Sequence, residues 1–479
     1  MLFNSFAFAI FLPIVFILYW CLPQKCRWML LLVASYYFYM SWNVKYVVLI
    51  LFTTVVSYLG ALLIEKEQSE SKKKVYLSAT AVICLGVLFV FKYFNFFSES
   101  LTHLLNSFSI QLNPLTLKLL LPVGISFYTF QTLSYVIDVY KGEVEAEKHF
   151  GYYATFISFF PQLVAGPIER TVNLLPQIKK EHKFDYDQAS YGLKLMLWGF
   201  FKKLVIADTL SGFVSVIYDN PKEYSGFALI LATLFFTIQI YCDFSGYSDI
   251  AIGTAKLLGI NLMTNFKSPY FSQSVKEFWS RWHISLSTWF RDYIYIPLGG
   301  NRVGKVRQII NLLVTFLVSG LWHGANWTFV VWGGIHGAAQ AIENVIIPKD
   351  KRKSIGIVWL LSVVVVFIFA SFAWIFFVSN SISDAGYVIA HAFDGITSPV
   401  SYIKAGISNV GIGILDILIE FVVILMLFVY DYLSLKKDVI VEISKMKKIV
   451  RWMIYIVITL MIIFLSPKGV AAEFVYFQF

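Results

Sequence analysis

The sequence predicts an all-α, polytopic integral membrane protein, a bundle of about 11–12 transmembrane helices with re-entrant and interfacial helices. Composition is the first reason: 58% of the 479 residues are hydrophobic and 14% are charged. Soluble domains are about 45–50% apolar and about 25% charged. The second reason is a series of apolar runs near the roughly 20 residues with which a helix crosses about 30 Å of hydrocarbon. A large soluble domain, a disordered chain and an ordinary nucleic-acid binder are therefore excluded.

The apolar runs define the spans in chain order. The predicted spans are 6–22, 28–42, 44–64, 75–97, 115–140, 191–217, 226–243, 308–322, 326–346, 357–378, 411–432 and 452–466. Met1 to Phe6 carries no lysine or arginine, and no small-residue cleavage site follows, so the first run is expected to be a retained helix. Runs as short as 28–42 and 308–322 fit half-helices that end inside the protein.

Loop charges predict the orientation of the spans. Loops 65–74, 347–353 and 433–451 are rich in lysine and arginine, whereas 98–114 has none and 379–410 has only one. The positive-inside rule puts the first three loops in the cytoplasm and the last two outside, with both termini outside. The formal charge of +10 then reflects topology and contact with anionic membrane lipid. It does not indicate a nucleic-acid partner.

Two stretches do not fit simple spanning helices. Residues 150–168 contain Phe160-Pro161 and Ala165-Gly166-Pro167, which break helices and predict a re-entrant loop. Residues 244–307 are richer in charge and predict embedded or interfacial helices on the cytoplasmic side. No long polar linker or internal repeat is visible, so residues 1–479 are expected to form a single domain.

Ionisable side chains at membrane depth are costly and are therefore functional candidates. His323 lies between two apolar runs, with Gly320 and Gly324 on either side. Glycines permit close approach of a backbone or a substrate. A histidine there suits a general base acting on a hydroxyl. A core histidine bonded to a carbonyl is an equally good interpretation of its position alone.

Two further histidines lie in or beside apolar runs. His336 shares a helix face with Gln340 and Glu343, which fits a structural hydrogen-bond network at least as well as catalysis. His283 falls within 278–292, where helical spacing predicts one amphipathic interfacial helix. There it lies near Ser287, so it is a candidate for lining a cavity.

The run that ends near residue 243 holds further polar groups. Gln239 and Asp243 share a helix face. They are candidates for orienting a histidine, for binding substrate hydroxyls or for capping a broken helix. The four cysteines form no C-x-x-C pair and no zinc spacing, so no metal site is predicted.

Five landmarks together resemble a known family. They are Leu121-Pro122-Val123-Gly124-Ile125-Ser126-Phe127-Tyr128, Val164-Ala165-Gly166-Pro167-Ile168, the stretch from Asp243 to Asp249, Trp282-His283-Ile284-Ser285-Leu286-Ser287-Thr288-Trp289-Phe290-Arg291-Asp292-Tyr293, and Leu321-Trp322-His323-Gly324. The ending Tyr476-Phe477-Gln478-Phe479 fits as well. Over nearly its whole length the chain resembles the membrane-bound O-acyltransferase family, most closely its bacterial alginate O-acetyltransferase branch.

The resemblance implies an enzyme whose helices surround a central tunnel. The family's hallmark histidine maps onto His323, and a second catalytic or tunnel residue maps onto His283. The candidate substrate-binding residues are Trp322, Asn326, Asp243, Ser287, Arg291, Asp292 and His336. No cofactor is expected. Acetyl-CoA is the expected donor substrate, because basic residues between 281 and 307 suit its phosphates.

The expected reaction moves an acetyl group from a cytoplasmic thioester across a bacterial cytoplasmic membrane. The acceptors would be hydroxyls of an exported polysaccharide, reached directly or through an extracytoplasmic acetyltransferase partner. A D-alanyl transferase for teichoic acid, fed by a carrier protein, is one alternative. A transporter or flippase for a lipid-linked glycan is another, with Asp243, Asp249 and Glu343 as proton-relay groups. A scaffold for an export complex is the third.

Overall fold

The computed structural model describes residues 1–164, 166–346, 356–409, 411, 413–468 and 474–475. All regular elements among these residues are helical, as the sequence predicts. Seven helical segments are long and apolar enough to cross a membrane: Val44–Lys66, Glu70–Ser107, Phe227–Leu257, Lys305–His323, Ile357–Val378, Leu415–Ser434 and Lys448–Leu465. The protein is therefore a multi-pass membrane protein. Ala165, the basic residues of 347–353 and the ending 476–479 lie outside the described residues.

The helices cluster into two compact units, and the first contains residues 1–193 and 251–263. Its helices are α1 (Phe6–Cys21), α2 (Gln24–Met40), α3 (Val47–Lys66), α4 (Glu70–Leu88), α5 (Phe94–Ser107), α6 (Ile125–Lys141), α7 (Phe150–Ser158), α8 (Phe160–Leu163) and α9 (Thr171–Lys179). Helix α3 packs on α4 and α6, and α2 packs on α7. A 2.6 Å hydrogen bond between the hydroxyls of Ser57 and Tyr153 joins α3 to α7 in the buried interior.

The second unit contains residues 194–250 and 264–479. The remaining helices are α10 (Tyr186–Phe200), α11 (Asp208–Tyr218), α12 (Phe227–Leu257), α13 (Val275–Arg281), α14 (Ile284–Phe290), α15 (Lys305–His323), α16 (Trp327–Ile346), α17 (Ile357–Val378), α18 (Ile382–His391), α19 (Pro399–Asn409), α20 (Ile414–Ser434), α21 (Val439–Lys445) and α22 (Lys448–Leu465). Helices α10 and α12 each contain residues of both units. Within the second unit, α15 packs along α16, and α16 packs on α17 and α13.

Helices α15 and α16 meet backbone to backbone. A Cβ atom added to Gly320 would lie 2.2 Å from the carbonyl oxygen of Phe329, and one added to Gly333 would lie 2.2 Å from that of Phe316. Neither distance is compatible with any side chain. The close backbone approach predicted at Gly320 is therefore confirmed, and it fixes α15 against α16 just before His323.

The predicted span 115–140 is wrong over its first part. Helix α6 starts only at Ile125, and residues 110–122 have no regular structure. The reason lies in Pro122 and in Gly124, which has a left-handed φ of 75°. An added Cβ there would lie 2.6 Å from the carbonyl oxygen of Leu163, so only glycine fits this turn.

Other predicted spans also have different bounds. The run 75–97 is part of a longer helical segment, Glu70–Ser107, so the loop predicted over 98–114 is helical as far as Ser107. The run 191–217 is interrupted by a π-helical segment, Phe201–Ala207, between α10 and α11. The run 226–243 does not end at Asp243, because α12 continues to Leu257. Lys202 and Lys203 of the π-helical segment pair with Asp249 and Asp243 of α12, so these carboxylates of the longer helix have cationic partners.

Candidate active site

His283 occupies a tight turn between two short helices. Its backbone is left-handed, with φ 42° and ψ 54°, and its side chain is fully buried. The single helix predicted over 278–292 is therefore wrong, because α13 and α14 are separate elements on either side of this residue. Asn265 stabilises the turn: its carbonyl oxygen accepts from the amide of Ile284 at 2.9 Å, and its side-chain oxygen accepts from the Ser285 hydroxyl at 2.6 Å.

Burial also sets the charge of His283. It lowers the pKa of the imidazole from 6.5 to about 3, since the charged form loses its hydration. The ring is therefore neutral near physiological pH. Phe244 lies edge-on to it, with the ring centroids 4.5 Å apart.

His323 ends α15 and is 2% exposed. The next residue, Gly324, has an extended backbone and ends the helix. Three aromatic rings surround the imidazole, with centroids at 5.0 Å for Trp322, 4.9 Å for Trp332 and 5.4 Å for Phe377. This apolar enclosure limits the access of water to the ring.

The structure brings the three predicted histidines into one aromatic row. Trp322 lies between His283 and His323, with centroid distances of 6.1 Å and 5.0 Å. Trp332 lies between His323 and His336, at 4.9 Å from each. These residues come from α15, α16 and the turn before α14, so only the tertiary fold brings them together.

The polar face of α16 supports α13. His336 Nδ1 accepts a hydrogen bond of 3.2 Å from the indole of Trp279. The Glu343 carboxylate accepts from the amides of Val275 at 2.7 Å and Lys276 at 3.3 Å. A structural hydrogen-bond network, one of the two interpretations of the helix face with His336 and Glu343, is therefore present.

Both carboxylate oxygens of Asp243 have partners within the protein. One carboxylate oxygen lies 2.7 Å from the ammonium of Lys203, which also pairs with Asp208 at 2.8 Å. The other oxygen accepts from the amide of Val475 at 2.7 Å. Asp243 thereby holds Val475 inside the second unit.

One cavity has a volume of about 570 Å³ and is called the Arg291 cavity below. The residues of α15 that line it precede His323 in the sequence. The residues that line it include Lys276, Trp279, Ser287, Arg291, Gln308 and Ser319. Arg291 pairs with Asp292 at 2.7 Å and is largely exposed. Of the basic residues between 281 and 307 expected to suit the donor phosphates, only Arg291 lines this cavity. The others, Arg281, Arg302, Lys305 and Arg307, do not.

A second cavity has a volume of about 650 Å³ and is called the Asn326 cavity below. Its lining includes Ala325 and Asn326, which follow His323 in the sequence. It is lined by polar residues of α11 and α12 and by the segments after α15 and α17. The Asn326 side chain accepts from the amide of Thr328 at 3.0 Å and donates to the carbonyl of Asn380 at 2.9 Å. It therefore caps α16 and borders the cavity.

His323 lines neither cavity but lies between residues of the two in the sequence. Ser319 lines the Arg291 cavity and Ala325 lines the Asn326 cavity. Ser319 is four positions before His323 in α15, a rise of about 6 Å. Aromatic contacts connect His323 to the Asn326 cavity. Phe329 lines this cavity, its ring centroid is 4.9 Å from that of Phe377, and Phe377 contacts His323.

Sequence reasoning missed the buried lysines of the π-helical segment. Lys202 bonds to Asp249 and to the Ser245 hydroxyl, each at 2.8 Å, and Lys203 bonds to Asp243. Two lysines in an apolar run were themselves a signal, since such charges need partners. Among the described residues, no group of three or more histidine, cysteine, aspartate or glutamate side chains is arranged to hold a metal ion.

Comparison with known proteins identifies the family. The sequence profile of the membrane-bound O-acyltransferase family matches residues 146–382. A protein of Pseudomonas syringae pv. tomato named "Probable alginate O-acetylase" is 41% identical over 396 residues, which are 82% of this chain and 75% of that protein. The chain belongs to the membrane-bound O-acyltransferase family.

The names of other relatives refer to different polymers. A peptidoglycan O-acetyltransferase of Helicobacter pylori is 35% identical over 80% of this chain and 78% of its own length. A teichoic acid D-alanyltransferase of Bacillus subtilis is 26% identical over 53% of this chain and 68% of its own length. This membrane-bound O-acyltransferase is accordingly an enzyme with a membrane-embedded helical bundle.

Proposed function

We propose that the enzyme transfers an acetyl group from a cytoplasmic thioester, acetyl-CoA, to hydroxyls of an exported cell-surface polysaccharide. His323 is the proposed general base, located between a donor cavity and an acceptor cavity. The place of His323 in the chain, between Ser319 of the Arg291 cavity and Ala325 of the Asn326 cavity, carries this proposal. The names of the alginate and peptidoglycan relatives support acetyl as the group transferred.

Loop charges support the assignment of the cavities to the two membrane faces. Asn301 and Asn344 line the Arg291 cavity. In the sequence, Asn344 lies three positions before the basic stretch 347–353, which the positive-inside rule puts in the cytoplasm. The Asn326 cavity is lined by residues 379 and 380, at the start of the lysine-poor loop predicted outside. The proposed membrane is the bacterial cytoplasmic membrane.

The proposed chemistry uses this chain's own residues. His323 takes the proton of the attacking hydroxyl as its oxygen bonds to the thioester carbonyl carbon. The carbon–sulfur bond then breaks, and the thiolate leaves with the proton that His323 returns. Trp322, Trp332 and Phe377 exclude water, which limits hydrolysis of the thioester.

The other predicted site residues take supporting roles in this proposal. Neutral His283 and Trp322 shape the wall behind the reacting group. Ser287 and Arg291 line the donor cavity, where the guanidinium suits a phosphate of the donor. Asn326 borders the acceptor cavity. Asp243 and His336 act at a distance: Asp243 holds Val475 and His336 holds α13. An extracytoplasmic acetyltransferase is the proposed partner where the polysaccharide itself does not reach His323.

The test compares wild-type and His323→Ala protein in membranes supplied with labelled acetyl-CoA. We expect release of label from the thioester to require His323, with equal protein levels in both preparations. Equal release by a folded His323→Ala protein would refute the proposed base. Turnover of a D-alanyl carrier thioester, but not of acetyl-CoA, would favour the D-alanyl transferase. Glycan transport without any acyl donor would favour the transporter.

A further inference from the structure

The Asn326 cavity has a chemical character of its own. Its lining consists of hydroxyls, amides and a few apolar groups. Asp219 is the only fully charged side chain among the described residues that line it, and neither lysine nor arginine contributes. In a chain with a formal charge of +10, the described residues that line this cavity thus carry one formal negative charge and no positive one. Such a cavity repels anionic ligands and accepts neutral ones.

Gln239 of α12 provides the second observation. It lines this cavity and is 7% exposed. Its side-chain oxygen is buried and has no hydrogen-bond partner among the described residues. An unsatisfied buried acceptor costs free energy. It is therefore typical of a group that awaits a donor from a ligand.

Asp219 is an exposed residue that also lines this cavity. It directly follows α11 at the C-terminal end, where the helix dipole disfavours a carboxylate. The preceding residue, Tyr218, is held by a 2.8 Å hydrogen bond to Thr233 of α12. This contact fixes the helix end beside the cavity, so that the Asp219 carboxylate borders it.

We propose that Gln239 and Asp219 make the Asn326 cavity a binding site for an uncharged polyol, so that the acceptor hydroxyl belongs to a neutral sugar and not to a polyuronate. The Gln239 oxygen accepts a hydrogen bond from a sugar hydroxyl. The Asp219 carboxylate repels carboxylate-bearing sugars. This inference rests on the proposed function for the assignment of the cavity to the acceptor.

The test measures binding without any acyl donor. Full-length protein in nanodiscs is titrated with cellopentaose, a neutral probe, and with a mannuronate pentamer, an anionic probe of equal length, by saturation-transfer NMR. We expect cellopentaose to bind and the mannuronate pentamer to bind at least about tenfold more weakly. Equal or tighter binding of the anionic probe, or no binding of cellopentaose, would overturn the proposal.

Variants test the two residues separately. Gln239→Leu should raise the Kd for cellopentaose about three- to tenfold, the worth of one hydrogen bond. Asp219→Asn should narrow the difference between the probes by strengthening binding of the mannuronate pentamer. Glu223→Gln, an exposed acid outside the cavity, is the matched control and should change neither Kd. An unchanged Kd in Gln239→Leu would contradict the proposal.

Thermal unfolding separates a binding role from a structural one. Because Gln239→Leu removes an unsatisfied buried acceptor, its Tm should equal or exceed that of the wild type. A lower Tm together with weaker binding would make Gln239 a structural residue and overturn the proposal. The release of label from acetyl-CoA by wild-type and His323→Ala protein does not depend on sugar binding. A failure of the acyl-transfer proposal can therefore be distinguished from a failure of the sugar-binding proposal.

Discussion

The indole of Trp332 stands almost perpendicular to the imidazole of His323, with an angle of 86° and a centroid distance of 4.9 Å. Trp332 is fully buried, so its orientation is fixed by packing. The edge-on contact therefore restricts the rotation of His323. We infer that Trp332 is a positioning residue for the proposed base.

Trp332→Phe should lower kcat for acyl transfer about three- to tenfold and leave the KM for the donor nearly unchanged. The reason is that a smaller ring weakens an aromatic contact worth about 0.5–1.5 kcal/mol. Trp374→Phe is the matched control, since Trp374 is equally buried and contacts Trp332 at 5.6 Å. Equal kcat losses in both variants would argue against a specific effect on His323.

Lys203→Met should destabilise the protein by about 3–5 kcal/mol, because it leaves the carboxylates of Asp208 and Asp243 buried without their cation. Thermal or denaturant unfolding in detergent measures the loss. The triple variant Lys203→Met, Asp208→Asn, Asp243→Asn should recover much of it. A stable Lys203→Met protein with a raised KM would instead indicate that the cluster serves the substrate.

Glu343→Ala should destabilise the protein by about 1–3 kcal/mol, since it leaves the amides of Val275 and Lys276 without their acceptor. Glu343→Gln keeps an acceptor oxygen and should lose less. Thermal unfolding of the two variants gives the comparison. Equal losses would mean that the charge, and not the hydrogen bonds to α13, is what matters.

The buried His283 predicts acid sensitivity. The unfolded chain binds a proton at this residue below pH 6.5, whereas the folded protein does so only near pH 3. Stability should therefore fall as the pH decreases from 6.5 towards 3. The loss between pH 7.5 and pH 5.0 should be about 2 kcal/mol from this group.

His283→Asn should remove that part of the pH dependence, whatever its effect on stability at neutral pH. The measurement is the difference in Tm between pH 7.5 and pH 5.0 in each protein. His103→Gln, at an exposed position, is the control and should behave as the wild type. An unchanged difference in His283→Asn would show that other groups dominate the acid response.

The sequence predicts the helical class and the membrane location well, because long apolar runs have few alternatives. It also singles out His283, His323 and His336 as candidates, since ionisable groups in apolar surroundings are costly, and the structure places these three in one aromatic row. It does not predict the turn at His283, because that turn depends on Asn265, which lies 18 positions away in the sequence. Nor does it predict that α12 continues past Asp243, because the lysines that neutralise α12 belong to another element.

The close glycine contact between α15 and α16, just before His323, bears on how the transmembrane voltage is distributed across the protein. Ser319 of one cavity and Ala325 of the other are six positions apart in the chain. With the two cavities open to opposite sides, as proposed, the barrier between them is then on the order of two helical turns thick. Most of the transmembrane voltage would then fall across the layer around His323. A proton moving to or from His323 would cross part of this field, worth about 2.3 kcal/mol per charge at 100 mV. Acyl transfer in sealed vesicles should therefore depend on voltage, and a rate independent of voltage would show that the cavities do not face each other across a thin barrier.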